Sequence, residues 1–496
     1  MTRRELRPNV VVNLIRTLTI TLLSFISFPF ASTALGDVAM GQYSWANTFV
    51  YFFLIIAKLG IPAVAIRECA KVRDNPEQLS KKVQTYFVLQ LITTLISYSL
   101  MLFLVFGFGD RVVDLTSRPL VMILSLNFLV GVFSFEWVYI ALEKHFYIAL
   151  RSIFTMALGS LLVIMFVRNN RYLFTYAFLA CLGTFITAIA NGFLLKKQNI
   201  SLIPRGKIVL KGTIKPLLVV FLITLVVTAY NQADSLILGY VDPTKSLVGS
   251  YAVGVRGIEI VITIITSLSA VFIPRATMAI KNNNLKEFNL INNYSTNITF
   301  FIALPAVTMM IILAPQIVGF IVNNDVYWTP ESINNARLAV VILAALMLTY
   351  SIADNIYQQV LLPLGKEKLY LMTMLLGLAL NLGLSLIGVF AVFKSNPLLG
   401  VSIATLTADL VVLVAIITIT RNYVFKNIFN RNTLKIVISS LLVGVFSFFI
   451  APLLPIANPL MLIIVMLLVA GVLYIITLAL LKEDIVTETF KKAKID

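Results

Sequence analysis

The sequence is poor in charged residues, in cysteine and in histidine. Only 12% of its 496 residues are charged, whereas soluble domains average about 25%, and no polar stretch is long enough to form a separate soluble domain. The two cysteines, Cys69 and Cys181, lie in or beside apolar stretches and far apart in sequence, which argues against a disulfide framework. The single histidine, His145, excludes a histidine-rich metal site.

Apolar residues dominate what remains. Hydrophobic residues make up 59% of the chain, and the mean hydropathy is +0.95. This composition is typical of a polytopic membrane protein in which the whole chain is the membrane domain. The formal net charge of +17 would also suit a nucleic-acid partner, but the basic residues are scattered over short loops. We therefore attribute them to membrane orientation and predict no nucleic-acid partner.

Long apolar stretches recur along the whole chain. About 14 of them are long enough to cross about 30 Å of hydrocarbon as a helix. We therefore predict an all-α polytopic membrane protein with about 14 transmembrane helices. The second span ends near Pro62, where a break is expected. The predicted spans are 9–30, 42–66, 85–107, 119–141, 147–167, 172–195, 215–239, 248–274, 292–320, 336–362, 369–393, 399–421, 434–454 and 459–481.

The loop charges predict the orientation. An even number of spans places both termini on one side, and about 29 lysines and arginines fall in the termini and the loops on that side, against about 7 in the opposite loops. Both termini are therefore predicted to be cytoplasmic. A cleaved signal peptide is the alternative at the N-terminus, because Arg3 and Arg4 precede an apolar run that ends in Ser32-Thr33-Ala34. The length of that run, and Arg16 within it, argue against cleavage.

Two weak sequence echoes share an offset of six spans. Leu35-Gly36 followed by Gly41-Gln42-Tyr43 is echoed by Leu238-Gly239 followed by Gly249-Ser250-Tyr251, and Leu142-Glu143-Lys144 is echoed by Leu364-Gly365-Lys366. Many transporters are duplicated bundles. We therefore predict an N-terminal six-helix bundle at 1–195, a cytoplasmic linker at 196–214, a C-terminal six-helix bundle at 215–421, and two appended helices with a cytoplasmic tail at 422–496.

Ionisable side chains inside the spans are the candidate functional residues. A charge at the bilayer centre costs at least about 2.5 to 3.5 kcal/mol, so such residues usually face a water-filled cavity or a partner. Basic groups could jointly hold an anionic head group, and acidic groups could bind the protons or sodium ions that drive transport. The basic candidates are Arg16, Lys58 and Arg256, and the acidic candidates are Glu136, Asp234, Glu259, Asp354 and Asp409.

Simpler explanations stand beside these assignments. Arg16 and Lys58 lie in the cytoplasmic halves of their spans, from which a long side chain can reach the headgroups. Arg256 and Glu259 are three residues apart and are expected to pair along one helical face.

The acidic candidates have structural alternatives too. Asp234 could cap the outer end of its span, next to Asn231 and Gln232. Glu136 and Asp354 occupy related places near the inner ends of their spans and could be matching structural contacts. No partner for Asp409 is evident from the sequence.

Motifs for other chemistries are weak. The segment Gly239 to Ser246 is superficially similar to a phosphate-binding loop, but it lacks the glycine before the lysine and is predicted to lie outside the cell. One histidine excludes a metalloprotease pair. A membrane glycosyltransferase or glycan polymerase is the enzyme alternative. Such enzymes commonly carry catalytic residues on a large extramembrane loop, and none is predicted here.

A series of short motifs runs through the first half of the chain. They are Asn13, Ser24-Phe25, Phe28-Pro29-Phe30, Leu35-Gly36, Gly41-Gln42-Tyr43, Gly60-Ile61-Pro62, Arg67-Glu68, Phe135-Glu136-Trp137, Leu142-Glu143, Ile148-Ala149-Leu150-Arg151-Ser152, Asn231-Gln232-Ala233-Asp234, Ile237-Leu238-Gly239 and Ile273-Pro274-Arg275. These motifs resemble those of the Wzx-type polysaccharide repeat-unit flippases, in the multidrug/oligosaccharidyl-lipid/polysaccharide exporter superfamily. The resemblance covers roughly residues 10–275 and continues to the end as hydropathy alone.

The resemblance implies a V-shaped transporter made of two bundles. Such proteins move undecaprenyl-pyrophosphate-linked oligosaccharides from the cytoplasmic to the outer leaflet by alternating access, in capsule, exopolysaccharide or O-antigen synthesis. Related flippases place pyrophosphate-binding basic residues in the first, second and eighth spans, which contain Arg16, Lys58 and Arg256 here. Asn13 and the acidic candidates would line the cavity or couple ions.

The expected protein is therefore a transporter without a cofactor, driven by a proton or sodium gradient. It would lie in the bacterial cytoplasmic membrane, with membrane lipids and the polysaccharide polymerase machinery as partners. An ion-coupled multidrug exporter of the same superfamily is the alternative.

Overall fold

A computed structural model describes residues 3–197, 200, 214–323 and 326–487. Helices account for the regular secondary structure of these residues, and no strand occurs among them. The helices are α1 (Arg3–Lys58), α2 (Ile61–Ala70), α3 (Pro76–Leu102), α4 (Arg118–Gly131), α5 (Glu136–Ala141), α6 (His145–Phe166), α7 (Leu173–Lys197), α8 (Ile214–Val241), α9 (Ser246–Ala270), α10 (Ile273–Lys281), α11 (Leu285–Ile312), α12 (Ala314–Ile321), α13 (Pro330–Ile356), α14 (Glu367–Ile387), α15 (Pro397–Ile419), α16 (Arg421–Ile428), α17 (Arg431–Ile450) and α18 (Pro459–Leu480).

The described residues form 13 helical segments that are long and apolar enough to cross a membrane. The first, Val11–Ala70, has 60 residues, which is about three times the length that the hydrocarbon core requires. It contains two of the predicted spans, because α1 is interrupted at Gly36, whose φ of 79° and ψ of 177° are not helical. The prediction of an all-helical polytopic membrane protein is confirmed, whereas the side of the membrane on which the termini lie stays a prediction.

Four predicted spans are interrupted in the structure: 42–66, 119–141, 248–274 and 292–320. The predictions of continuous spans over 119–141 and 248–274 were wrong, because the helix breaks at Phe135 in the first and after Ala270 in the second.

The break expected near Pro62 is present: α1 ends at Lys58, and α2 begins at Ile61 with Pro62 in its first turn. The prediction of one continuous span over 292–320 was wrong, because α11 ends at Ile312 and α12 begins at Ala314. Pro315 explains the break between α11 and α12, since its ring is compatible with the first turn of a helix and incompatible with the interior.

The chain divides into two compact units, residues 1–249 and 250–496. In the first unit, α1 packs against α3, α4, α6 and α8. The second unit is built around α11, α13, α15 and α17, with α14 packed on α15 and α18 packed on α17. The predicted division into bundles at 1–195 and 215–421 stays a prediction, and most of the predicted linker at 196–214 lies outside the described residues.

The turn between α8 and α9 packs backbone against backbone on α1. A Cβ atom at Gly41 would lie 1.8 Å from the carbonyl oxygen of Lys245. The Lys245 ammonium is buried, donates to the carbonyl oxygen of Gly239, lies 3.6 Å from an Asp114 oxygen and stands 4.9 Å from the Trp45 ring centre. Because a Cβ atom at position 41 would collide with the Lys245 carbonyl oxygen, this close packing requires glycine there.

Candidate functional site

A charged cluster connects α1, α5 and α6 inside the first unit. The Arg16 Nη1 atom and the Arg151 Nη2 atom each lie 3.3 Å from the same carboxylate oxygen, Oε1 of Glu136. The side chain of Arg151 is only 6% exposed, while those of Arg16 and Glu136 are 24% and 37% exposed. One carboxylate therefore pairs with a buried arginine and with a more accessible one.

A local backbone break positions Glu136. The chain leaves α4 through a short 3₁₀ turn, and Phe135 then adopts a left-handed conformation with φ of 46°. Glu136 is the first residue of α5. A bulky residue at positive φ is uncommon and persists only where the surroundings hold it. The Phe135 side chain is buried in the core of this unit, and its ring centre lies 5.2 Å from that of Phe87, which supplies compensating contacts.

Asn191 of α7 holds the buried arginine from the other side. Its Oδ1 atom accepts hydrogen bonds from Arg151 Nη1 and from the Tyr147 hydroxyl, both at 2.8 Å. The Asn191 amide nitrogen donates to the Ser134 carbonyl oxygen, and the Asn191 carbonyl oxygen accepts from the Tyr139 hydroxyl at 2.7 Å. This network fixes Arg151 as a structural member of the cluster.

Lys58, at the end of α1, adds a third cation. Its side chain is accessible although protein surrounds it closely, and it lies near enough to Glu136 for the two charges to interact without a direct ion pair. The cluster thus contains three positive charges and one negative charge. The Nε atoms of Arg16 and Arg151 are buried and make no hydrogen bond within the described part of the chain. The cluster therefore carries more positive charge, and more N–H hydrogen-bond donors, than the single Glu136 carboxylate can balance.

The sequence predicted some members of this cluster and missed others. Arg16, Lys58 and Glu136 were separate candidates, and the structure brings them together. Arg16 is ion-paired with Glu136, which the snorkelling alternative did not include. Asn13 is exposed one turn before Arg16, and its carbonyl oxygen accepts from the Thr17 hydroxyl at 3.0 Å.

Arg151 and Asn191 were not candidates. Arg151 lies within the predicted span 147–167 but was not among the ionisable candidates. Its position four residues after Tyr147, on the same helical face, was the available signal. The arginine stands 5.7 Å from the centre of the Tyr147 ring. Nothing in the sequence around Asn191 indicates that its side chain meets Arg151.

The basic candidate of the second unit has its own acidic partner. Arg256 Nη1 donates to Glu259 Oε2 at 2.6 Å along one face of α9, with side chains 39% and 47% exposed. This is the intrahelical pair that the spacing predicted. A ligand of Arg256 would therefore have to displace Glu259, whose bond to Arg256 is shorter than the 3.3 Å contact between Arg16 and Glu136.

The acidic candidates of the second unit lie among tyrosines and hydroxyl groups. Asp409 is buried and accepts a hydrogen bond from the Thr349 hydroxyl, while Asp354 accepts from the Gln358 amide at 2.5 Å. The charges of both carboxylates act on Tyr350 and Tyr370. Asp354 makes no ion pair with a lysine or arginine among the residues that the structure describes.

Asp234 does not cap its helix. It is buried inside α8, about two turns before the helix ends at Val241. The capping alternative was wrong, because the predicted end of the span at 239 placed Asp234 too close to the terminus. Within the described residues, no group of three or more histidine, cysteine or acidic side chains is arranged to hold a metal ion.

The family model described as "Polysaccharide biosynthesis protein" matches residues 6–280. The chain belongs to this family. The match includes every member of the charged cluster of the first unit and also Arg256. The motifs that resemble those of polysaccharide repeat-unit flippases also lie within it, so the suspected family is confirmed. No curated protein matches the sequence.

Solved transporter structures share the fold. A lipid II flippase, MurJ, in an inward closed conformation is 17% identical, with a TM-score of 0.72 over 95% of this chain and 99% of that chain. An inward-facing multidrug resistance MATE family transporter of the MOP superfamily is 15% identical, with a TM-score of 0.62 over 84% of this chain and 98% of that chain. An outward-facing MATE structure is 16% identical, with a TM-score of 0.55. This family member therefore has the polytopic fold of known transporters.

Proposed function

We propose that this protein is a secondary-active flippase of lipid-linked polysaccharide repeat units. It moves undecaprenyl-pyrophosphate-linked oligosaccharides from the inner to the outer leaflet of the bacterial cytoplasmic membrane by alternating access. The products enter capsule, exopolysaccharide or O-antigen-like polymers. Membership of the polysaccharide biosynthesis protein family supports the pathway, and the flippase-like and transporter-like fold supports the mechanism.

The charge excess of the cluster around Glu136 is the observation that carries this proposal. Three cations face one carboxylate in a membrane-spanning region, where uncompensated charge is costly. A pyrophosphate supplies the missing negative charge, and its oxygens match the donor geometry of arginine. The anionic link between lipid and sugar is common to all such substrates, so this recognition is independent of the sugar composition.

The accessible members of the cluster would contact the pyrophosphate. Arg16 is partly exposed and Lys58 is exposed, so both can reach a ligand without breaking the core. Glu136 would hold Arg16 in place before the substrate arrives and compete with the pyrophosphate during release. Arg151 is a positioning residue, because its guanidinium is buried between Glu136 and Asn191.

Arg256 is retained as a third proposed ligand with a smaller contribution. Its bond to Glu259 must be exchanged for the bond to the substrate, and this exchange cancels part of the gain. The acidic residues Asp234, Asp354 and Asp409 are proposed to line the route or to bind the coupling proton or sodium ion. Asp354 is favoured for coupling, because it makes no ion pair with a lysine or arginine among the residues that the structure describes.

Translocation in proteoliposomes tests the function. A fluorescently labelled undecaprenyl-pyrophosphate oligosaccharide would be placed in both leaflets, and its exposure would be followed with a membrane-impermeant quencher. Wild-type protein should exchange the lipid between leaflets. Arg16→Ala and Lys58→Ala should each slow the exchange by about tenfold or more, the value of one or two charge-assisted hydrogen bonds.

Arg171→Ala is the matched control. Arg171 belongs to the same unit and is exposed, and its side chain makes no hydrogen bond or ion pair in the described part of the chain. This variant should flip at the wild-type rate. Unchanged rates in Arg16→Ala and Lys58→Ala, with correct insertion of both, would overturn the site assignment.

An ion-coupled multidrug exporter is the second candidate, because the MATE transporters share the fold. In that case the proteoliposomes would accumulate cationic drugs under an ion gradient and leave the labelled lipid in its original leaflet. Cells lacking the protein would lose drug resistance and retain their surface polysaccharide.

A further inference from the structure

The second unit contains a polar cavity of about 600 Å³ at one end of its helices. The walls come from the beginning of α11, from α16, from the beginning of α17 and from the residues that follow α18. These helix ends share the side that the loop charges predict to be cytoplasmic. The lining residues that matter here are Lys286, Lys426, Asn430, Arg431, Lys435 and Asp484.

Positive charge predominates in this cavity. Four cationic side chains line it, with one carboxylate, Asp484, which accepts a hydrogen bond from Asn432. Lys286, Lys426 and Arg431 are exposed and make no hydrogen bond or ion pair through their side chains, as far as the described residues extend. A cavity with three unpaired cations attracts an anion.

The wall between the cations is held by amide hydrogen bonds. The Asn430 amide nitrogen donates to the side-chain oxygens of Asn293 and Asn297 at 3.3 and 3.2 Å and to the Asn427 carbonyl oxygen at 2.7 Å. The Asn430 side-chain oxygen caps α17 by accepting from the Thr433 amide at 2.7 Å. The Lys435 ammonium donates to the Lys482 carbonyl oxygen at 2.7 Å. The cavity is therefore built before any ligand arrives, which lowers the entropic cost of binding.

Exposed apolar side chains flank the cavity. Phe425 and Phe429 are 54% and 67% exposed, and their ring centres lie 4.9 Å apart. Leu290 lines the cavity itself and is also exposed. Aromatic residues beside basic ones are typical of a helix at the membrane surface, where anionic headgroups and acyl chains meet. The ligand thus has an anionic part and an adjacent apolar part.

We propose that this cavity binds a phosphate group, with the headgroup of an anionic phospholipid as its source. Basic pockets between transmembrane helices on the cytoplasmic side are suited to such headgroups. The cations neutralise the phosphate, and the hydrogen bonds of Asn430 hold together the helix ends that carry them. The phenylalanines contact the glycerol backbone and acyl chains. The site lies entirely within the second unit and is independent of the substrate that the protein transports.

Native mass spectrometry of the full-length protein in detergent tests the proposal. The probes are phosphatidylglycerol, zwitterionic phosphatidylcholine and inorganic pyrophosphate. Wild-type protein should retain phosphatidylglycerol in preference to phosphatidylcholine. The triple variant Lys286→Gln/Lys426→Gln/Arg431→Gln should bind phosphatidylglycerol on the order of 100-fold more weakly, because three interfacial cations are removed.

A second triple variant is the matched control. Lys281→Gln/Lys366→Gln/Lys368→Gln removes the same charge from exposed positions of the second unit that do not line the cavity, and it should bind like the wild type. Competition by pyrophosphate at low concentration would identify a soluble phosphate compound as the source and retain the site. Equal losses in the two triple variants, or no loss in the first, would overturn the proposal.

The variants must also remain folded. We would therefore make Lys286→Gln and Lys426→Gln as single variants. In a lipid without a phosphate group, each should keep the wild-type melting temperature. Each should also bind phosphatidylglycerol several-fold more weakly than the wild type. A normal melting temperature with unchanged lipid binding in both single variants would equally contradict the site.

Discussion

The two units place arginine and glutamate together in opposite ways. In the first unit, Glu136 is shared by Arg16 and Arg151, which come from different helices, and Lys58 adds further positive charge. In the second unit, Arg256 pairs with Glu259 three residues along the same helix. The first arrangement leaves positive charge uncompensated, and the second cancels it locally.

This difference indicates which of the two arginine–glutamate groups is prepared to bind an anionic substrate. A pair on one helix forms without tertiary structure and is worth only a few tenths of a kcal/mol when exposed. A carboxylate held between two arginines from different helices requires the folded unit, and its buried hydrogen bonds fix the geometry in advance. We therefore assign substrate recognition primarily to the cluster around Glu136.

The largest expected effect is the loss of Arg151. Arg151→Ala removes the buried guanidinium that Glu136 and Asn191 share, although Glu136 keeps Arg16 and Asn191 keeps the Tyr147 hydroxyl. The loss of these charge-assisted hydrogen bonds should cost about 3 kcal/mol in the free energy of unfolding. Arg256→Ala removes an exposed intrahelical pair and should cost less than about 1 kcal/mol. Thermal unfolding in detergent, followed by size-exclusion profiles, compares the two. Similar melting temperatures would remove the distinction between the units.

The next effect concerns helix packing. Gly41→Ala would place its Cβ against the Lys245 carbonyl oxygen, and because backbone cannot move aside cheaply, a loss of about 1 to 3 kcal/mol is expected. Gly257→Ala in the second unit is the counterpart, since a Cβ there would lie 3.5 Å from the flexible end of Met310. That variant should be neutral. A normal melting temperature for Gly41→Ala would contradict the close approach of these segments.

Charge neutralisation gives a smaller change in ligand affinity. Glu136→Gln removes the carboxylate that competes for Arg16, so binding of undecaprenyl pyrophosphate should tighten about tenfold, the value of one charge-assisted contact. Glu259→Gln releases only the more exposed Arg256 and should change affinity less than about threefold. Fluorescence-based binding with purified protein measures both. Weaker binding by Glu136→Gln would assign Glu136 to positioning alone.

The smallest effect is pH-dependent and belongs to the ion pair of Asp114 and Lys245 in the first unit. Partial burial raises the pKa of Asp114, but the Thr116 hydroxyl bond and the Lys245 charge outweigh it, so the net pKa lies below its usual value. Because the pKa of Asp114 is lower in the folded state than its value of about 4 in the unfolded state, the charged carboxylate stabilises the fold above about pH 4. This stabilisation is lost as the pH falls through the folded-state pKa. The melting temperature of Asp114→Asn should thus be slightly lower at pH 7 and should converge with the wild type below about pH 4. A constant difference would contradict the role of the charge.

Much of the fold could be predicted from hydropathy, because the length of a transmembrane helix is imposed by the bilayer. The breaks were harder to predict. Pro62 indicated one break, but the effect of Pro315 was missed because it lies inside an apolar run. The end of α8 was also placed too early, because nothing in the sequence stops this helix before Val241.

The candidate site was predictable only in part. Charge in an apolar span marked Arg16, Lys58 and Glu136, since the cost of burying charge is a property of the residue and its span. Their meeting depends on how α1, α5 and α6 pack, which is a tertiary property. Arg151 and Asn191 were missed for the same reason: their importance comes from each other and from Glu136.

The affinity of the purified protein for undecaprenyl pyrophosphate tests the central claim most directly. Wild type, Arg16→Ala and the matched control Arg171→Ala would be titrated side by side at one salt concentration. The account predicts that Arg16→Ala binds about tenfold or more weakly, while Arg171→Ala binds as tightly as the wild type. Equal affinities for all three proteins would contradict the assignment of the cluster around Glu136 as the pyrophosphate site.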